Sequence, residues 1–172
     1  MCLVCGQDDC LYGEQCGKVK FYNVKSSATK ILERDAEWEH VIPRAVIDKS
    51  SFLQDKMDYD KSIVYALDKC VHRDAIDGAG GGVSSTGRSR TSQGWAEFLA
   101  PLFDGGHSDK AVYHLIIDEV HAIKTLPDKS RYMPYIASLG AVLYNYSQIG
   151  IISKKALTYI YEWVASEPTK TV

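Results

Sequence analysis

Hydrophobic residues repeat with helical spacing most clearly over residues 109–125, which predicts an amphipathic helix there. Ser108 or Asp109 can cap the start of this helix, and Pro127 stops it. The apolar positions follow one another at intervals of three or four and form one stripe: Val112, Leu115, Ile116, Val120 and Ile123. The stripe predicts that one side of the helix packs into the core and that the other side is polar.

The same spacing predicts a C-terminal helical hairpin within residues 131–166. Its helices cover residues 132–147 and 153–165, with Gly150 between them and Ser153 as an N-cap. The residues expected to pack the two helices together are Ile136, Leu139, Leu143, Leu157, Ile160 and Val164. The second half of the chain is therefore expected to be rich in helix.

The first half of the chain mixes shorter elements. Residues 18–24 partly alternate and predict a strand, and residues 35–47 are apolar and β-prone up to Pro43. Helices are predicted over residues 26–34 and 55–70. The second of these would turn four side chains inward: Met57, Ile63, Leu67 and Cys70. Strands followed by a run of helices predict the α+β class.

A long loop is predicted over residues 77–94, before a short apolar helix or turn at residues 95–103. The loop is built mainly from Gly, Ser and Thr, and its only positive charges are Arg88 and Arg90. Long loops inside a compact domain are typically functional or disordered. Both interpretations stay open for this segment.

Length and composition favour one globular domain over residues 1–172. Apolar residues make up 45% of the chain, and no run reaches the roughly 18 apolar residues of a membrane span. The start of the chain lacks the basic and apolar segments of a signal peptide. The net charge of −2 weighs against a broad nucleic-acid surface but allows a local basic strip.

Four of the five cysteines lie in the N-terminal segment 1–17: Cys2, Cys5, Cys10 and Cys16. Only the first two have the C-x2-C spacing that is common in zinc sites, and the remaining spacing is looser. A structural Zn²⁺ site, one or two disulfides, and unpaired thiols all remain open.

The pair Glu39-His40 is the strongest candidate for chemistry. A carboxylate is a hard oxygen ligand for a divalent metal, and a neutral imidazole can take a proton from water. Hydrolysis of a phosphodiester needs both functions. Neighbouring residues on an extended chain point in opposite directions, so the pair can act on one phosphate if the chain bends before Pro43. A chance pair at the end of a surface strand is the simpler interpretation.

Residues 37–43, EWEHVIP, resemble the EWEHVxP segment of the secreted and periplasmic endonuclease I family, which consists of His-Me finger nucleases. Downstream, residues 113–115 and 120–122 (YHL and VHA) are similar to that family's Tyr-Asn-Leu and Val-Asn-Ala strings. Histidine in place of the ligand asparagine resembles the polymorphic toxin nucleases of the HNH/endonuclease VII superfamily. The resemblance covers about thirty residues in two blocks. It implies a ββα-metal (His-Me finger) core with additional helices.

The resemblance also implies roles for individual residues. His40 is the expected general base, Glu39 and His114 are metal ligands, and His121 is a supporting residue near the phosphate or a metal-bound water. His114 and His121 are about 10.5 Å apart along a helix, so two imidazoles barely reach one ion. Asp118 lies one turn from each and is a further candidate ligand. A solvated polar helix face is the alternative for all three.

These features together predict a metal-dependent endonuclease that hydrolyses DNA, with RNA as a further substrate. One divalent ion is expected, Mg²⁺ by default, with Zn²⁺, Mn²⁺ or Ni²⁺ favoured by a nitrogen ligand. Arg73, Arg88 and Arg90 are the candidates for phosphate contacts. As an antibacterial toxin, the protein would be secreted or delivered into a target-cell cytoplasm and would need an immunity protein in the producing cell; a cytoplasmic enzyme is the other setting.

Two other classes of function stay open. A non-nuclease hydrolase could use Glu37 or Glu39 as general acid or base, and it would not depend on metal or on His114. A protein-binding module could combine a zinc site in the cysteine-rich segment with the C-terminal hairpin as a docking surface. Loss of biological effect in a catalytically dead variant separates an enzyme from such a module.

Overall fold

The computed structural model describes residues 19–21, 36–68, 92–124 and 132–166. Three strands fall in these ranges: β1 (Val19–Phe21), β2 (Ala36–Glu39) and β3 (Ile63–Asp68). Six helices accompany them: α1 (Arg44–Lys49), α2 (Ser51–Lys56), α3 (Ser92–Asp104), α4 (Ser108–Ile123), α5 (Tyr132–Gln148) and α6 (Lys154–Ser166). A 3₁₀ turn covers Tyr59–Lys61. The described part of the chain is therefore α+β and mostly helical.

The three strands form one antiparallel sheet in the order β1-β3-β2, so β3 is the central strand. Every residue from Ile63 to Leu67 is buried, which means that both faces of β3 are covered. Its register pairs Glu39, the last residue of β2, with Tyr65. This pairing places the candidate Glu39 beside the middle of the central strand.

The helix predicted over residues 55–70 is wrong. Helix α2 ends at Lys56, and residues 63–68 are strand β3. A strand that is buried on both faces is a continuous apolar run without alternation, which periodicity alone does not distinguish from a buried helix. The β-branched and aromatic residues Ile63, Val64 and Tyr65 favour the extended chain.

The chain turns sharply after β2, as the proline predicts. Pro43 stands directly before α1, where its fixed φ and missing N–H are tolerated. Ser50 caps α2 by accepting a hydrogen bond from the Leu53 N–H at 3.2 Å. Asp104, at the end of α3, accepts hydrogen bonds from the Ser50 hydroxyl at 2.7 Å and from the Phe52 N–H at 3.0 Å. These bonds join the start of α2 to the end of α3.

The predicted helices of the second half are confirmed. Helix α4 covers the expected range, and the five positions of its apolar stripe are all buried. Helices α5 and α6 contact each other as a hairpin, with Gly150 at a positive φ of 79° between them. The predicted short apolar helix at residues 95–103 is the larger part of α3. None of the described helices has both the length and the apolar character of a membrane span.

Several predictions fall outside the described residues. These are the cysteine-rich segment 1–17, the helix at 26–34, and the loop over 77–94 up to residue 91. The prediction of a loop is wrong for residues 92–94, which form the first turn of α3. Strand β1 occupies the middle of the strand predicted at 18–24. Zinc or disulfide chemistry at the N-terminus stays a prediction.

Candidate functional site

The end of β2 and the C-terminal half of α4 meet in the interior. Glu39 is buried at the strand end, and Glu119 is fully buried on α4. Their carboxyl groups are within hydrogen-bonding contact of each other. The Tyr65 hydroxyl of the central strand donates a hydrogen bond to Oε2 of Glu119, which joins the sheet to the helix. Glu39 is thus placed against α4, and His40 is the next residue along the chain.

This contact perturbs the acid–base chemistry of Glu119. Burial raises the pKa of Glu119 well above its usual value, and the charge of Glu39 and the hydrogen bond with Glu39 raise this pKa further. The hydrogen bond from Tyr65 lowers it, and the charge of Asp118 raises it. Two carboxylates repel each other at this range unless they share a proton or a cation lies between them. The site therefore favours the binding of positive charge.

Two tyrosines enclose the acidic pair, Tyr65 on β3 and Tyr146 on α5, and both are fully buried. Burial, followed by the charges of Glu119 and Glu39, raises the pKa of Tyr65 well above its usual value. Burial also raises the pKa of Tyr146, although a backbone hydrogen bond with Ile42 lowers it. Both phenols stay protonated at neutral pH, so Tyr65 remains a hydrogen-bond donor to Glu119.

His40 lies at the edge of this buried cluster and is 9% exposed. Its ring stacks on Tyr59 with the centroids 3.9 Å apart and 14° between the planes. Nε2 of His40 lies 3.2 Å from the backbone oxygen of Tyr59. Because a carbonyl oxygen only accepts, Nε2 carries the proton in this contact, and the lone pair of the neutral ring is on Nδ1. The turn therefore holds His40 in one orientation and in the tautomer that accepts a proton at Nδ1.

The positively charged side chain of Arg44 lies over Tyr59, the second ring of this stack. The guanidinium carbon of Arg44 is 5.4 Å from the centroid of the Tyr59 ring. The exposed Arg44 side chain also forms an i,i+4 ion pair with Asp48 at 3.7 Å. Arg44 follows Pro43 directly, so the turn that positions His40 also brings this positive charge near it.

The histidines of α4 have different surroundings. His114 is half-buried and packs edge-on against Phe98 of α3, with the ring centroids 4.9 Å apart. His121 is exposed, and Asp118 is buried next to Glu119. Across the described ranges, no three His, Cys, Asp or Glu side chains are grouped so that they could hold one ion. The ligand set of Glu39, His114 and Asp118 stays a prediction.

The remaining predicted residues are only partly described. Glu37 belongs to β2 and is paired with Leu67, but its side chain lies outside the described part. The three arginines expected to contact phosphate also lie outside it: Arg73, Arg88 and Arg90. Their roles stay predictions.

Sequence reasoning missed Glu119 and Tyr65. Glu119 lies three residues after Ile116 and four after Leu115, so it falls within the apolar stripe of α4. A charged residue at a core position of an otherwise apolar stripe is the signal that could have identified it. No comparable signal marks Tyr65, which resembles any other aromatic residue of a buried strand.

Comparison with models of protein families, with curated proteins and with solved structures gives no match. The similarity of residues 37–43 to the endonuclease I segment therefore remains a resemblance of short motifs. The geometry around Glu39, His40 and Glu119 is the basis for assigning a function.

Proposed function

We propose that this protein is a metal-dependent endonuclease that hydrolyses phosphodiester bonds of DNA, with RNA as a further substrate. The observation that carries the proposal is the contact of Glu39, at the end of β2 and directly before His40, with a buried acidic position on α4. A ββα-metal core would consist of β2, β3 and α4, which contribute Glu39, Tyr65 and Glu119 to one place. The additional helices would support this core.

His40 has the surroundings of a general base. The stack on Tyr59 and the contact with the Tyr59 carbonyl restrict the imidazole to one orientation. A neutral imidazole with its proton on Nε2 accepts a proton through Nδ1, and this is the chemistry that activation of the attacking water requires. His40 is the member of the cluster at its solvent edge, whereas Glu119 is fully enclosed. Substrate would therefore approach from the side of the turn that contains Pro43.

The buried pair of glutamates is suited to a divalent metal ion. Glu39 and Glu119 are buried in contact with each other, and burial of like charges is unfavourable without a compensating cation. Carboxylate oxygens are the ligands that Mg²⁺ prefers. A bound ion would neutralise the charge that develops on the phosphate and on the leaving oxygen. Glu39 would hold the ion, together with a side chain of α4.

Arg44 is suited to bind a phosphate beside the reaction centre. Its guanidinium is exposed, lies over the Tyr59 ring and shares that ring with His40. Arginine pairs with phosphate oxygens through two parallel hydrogen bonds, and a weak surface ion pair with Asp48 does not prevent this. Arg44 would therefore extend the phosphate contacts predicted for the loop arginines.

Plasmid nicking tests the proposal directly. Wild-type protein should convert supercoiled plasmid to the open-circular form with Mg²⁺ or Mn²⁺, and a chelator should abolish this activity. His40→Ala should reduce the rate by about 10²–10⁴-fold, the usual contribution of a general base. His107→Ala is the matched control because that histidine is exposed before α4 and its side chain forms no cap.

Two results would contradict the proposal. One is intact plasmid after incubation of folded wild-type protein with each of Mg²⁺, Mn²⁺, Zn²⁺ and Ni²⁺. The other is equal activity of the wild type and His40→Ala. The antibacterial role and its immunity protein belong to the same proposal: expression of the wild type should arrest bacterial growth, and expression of His40→Ala should not.

A further inference from the structure

Glu119 occupies a position that normally belongs to an apolar residue. It is 0% exposed, and its helix neighbours Leu115, Ile116 and Val120 are all in the hydrophobic core. A carboxylate in such surroundings is costly unless its oxygens are satisfied by hydrogen bonds or by a cation. The contacts of the two Glu119 oxygens therefore show whether hydrogen bonds satisfy each of them or whether a cation is required.

The two oxygens of Glu119 have different surroundings. Oε2 accepts the hydrogen bond from the Tyr65 hydroxyl. Oε1 is completely buried, and no hydrogen-bond donor among the described residues reaches it. The nearest acidic partner is Glu39, whose carboxyl is in contact with that of Glu119. A buried oxygen without a donor, next to a second carboxyl group, is suited to a cation.

We propose that Glu119 and Glu39 bind one divalent cation between them, and that Glu119, rather than His114, is the metal ligand from α4. Two carboxylates from different elements, completed by water or substrate oxygens, match the usual coordination of Mg²⁺. An all-oxygen set favours Mg²⁺ or Mn²⁺ over Zn²⁺ or Ni²⁺. This assignment deepens the proposed function, because the ion is the one that the nuclease reaction would use.

Helical geometry supports Glu119 over His114. The two residues are five positions apart, which corresponds to about 140° around the helix and about 7.5 Å along it. Glu119 faces Glu39 and Tyr65, whereas the His114 ring packs against Phe98 of the neighbouring helix α3. An ion in contact with both glutamates would therefore lie away from the face that carries His114.

Metal-dependent thermal stability tests the assignment without any need for catalysis. Mg²⁺ or Mn²⁺ at 100 times its dissociation constant should raise the melting temperature of the wild type by about 5–10 °C relative to protein in EDTA. Glu119→Gln keeps the size and the acceptor for Tyr65 but removes the charge, and it should shift by less than about 1 °C. His114→Ala should keep the wild-type shift. Electron paramagnetic resonance should detect one Mn²⁺ per wild-type chain and none in Glu119→Gln.

Several outcomes would overturn the assignment. It is wrong if Mg²⁺ and Mn²⁺ leave the wild-type melting temperature unchanged, or if Glu119→Gln keeps the full shift. It is also wrong if His114→Ala alone loses the shift. Glu39→Gln is the second variant, and it should lose metal binding in the same way if Glu119→Gln does not fold.

Nicking assays on the same variants separate this inference from the proposed function. Metal binding by Glu39 and Glu119 without cleavage of plasmid refutes the nuclease proposal and supports the cation site. Metal-dependent cleavage at the wild-type rate by Glu119→Gln refutes the ligand assignment and leaves the nuclease proposal supported.

Discussion

The hydrogen bond between Tyr65 and Glu119 joins the central strand to α4 at the acidic pair, and its removal should have a measurable cost. Tyr65→Phe deletes only the hydroxyl, and the ring continues to fill its fully buried place. The acidic pair then loses a hydrogen-bond donor at a fully buried position. A hydrogen bond contributes about 0.5–1.5 kcal/mol between neutral groups and about 1.5–3 kcal/mol to a charged group, so the free energy of unfolding should fall by about 0.5–3 kcal/mol, with the larger cost where Glu119 is ionised.

The size of the effect should depend on the charge of Glu119. In a Glu119→Gln background the same phenol donates to a neutral amide oxygen, and such a bond contributes about 0.5–1.5 kcal/mol. The double-mutant cycle should therefore give a coupling of about 1 kcal/mol or more, within the range for contacting residues. Tyr144→Phe is the matched control, because Tyr144 lies on α5 and is 53% exposed. Its substitution should change stability by less than about 0.5 kcal/mol.

The measurement is urea unfolding followed by circular dichroism over a series of pH values in the presence of EDTA, so that the cost is followed as Glu119 ionises and no divalent ion contributes. For a domain of this length, each kcal/mol also corresponds to about 2–4 °C in melting temperature, which gives an independent check. Equal costs of Tyr65→Phe in both backgrounds would refute the charge dependence. A cost no larger than that of Tyr144→Phe would refute the contact itself.

Two further predictions concern pH and DNA binding. Because the native pKa of Glu119 is raised above its ordinary value of 4.5, this carboxyl stabilises the metal-free protein below that value, and the stability is lost as pH rises through the native pKa. The free energy of unfolding in EDTA should fall as pH rises above 4.5, by up to about 1.4 kcal/mol per pH unit, and Glu119→Gln should flatten this profile; a flat wild-type profile contradicts the prediction. Asp104, whose pKa is lowered mainly by its hydrogen bond with Ser50, acts with the opposite sign and only as pH falls below its ordinary 3.8. Arg44→Ala should weaken DNA binding and reduce the salt-dependence slope by about 1, whereas Lys155→Ala on α6 should leave the slope unchanged; equal slopes in all three proteins would exclude Arg44 as a phosphate contact.

Apolar spacing located the long helices of the second half. Helix α6 buries one side and exposes the other, and α4 buries its apolar stripe, so both lie where the three-to-four-residue spacing predicts them. Helix α5 was predicted as well, although every residue from Tyr135 to Leu143 is buried, because the spacing continues over 17 residues. Strand β3 has six residues and both of its faces are buried, so neither length nor alternation distinguishes it from a helix.

The candidate site also combines features that the sequence determines with features that only the tertiary structure determines. The sequence alone determined that a carboxylate and an imidazole are adjacent at a strand end, and that Pro43 makes the chain turn after them, because these are local covalent facts. Only the tertiary structure decided that Glu119 faces Glu39, that Tyr65 donates to it, and that Tyr59 selects the tautomer of His40. Tyr65 and Glu119 are 54 residues apart, and such a contact depends on how the helix packs on the sheet. No spacing along the chain encodes that packing, because it results from the burial of all the surrounding side chains together.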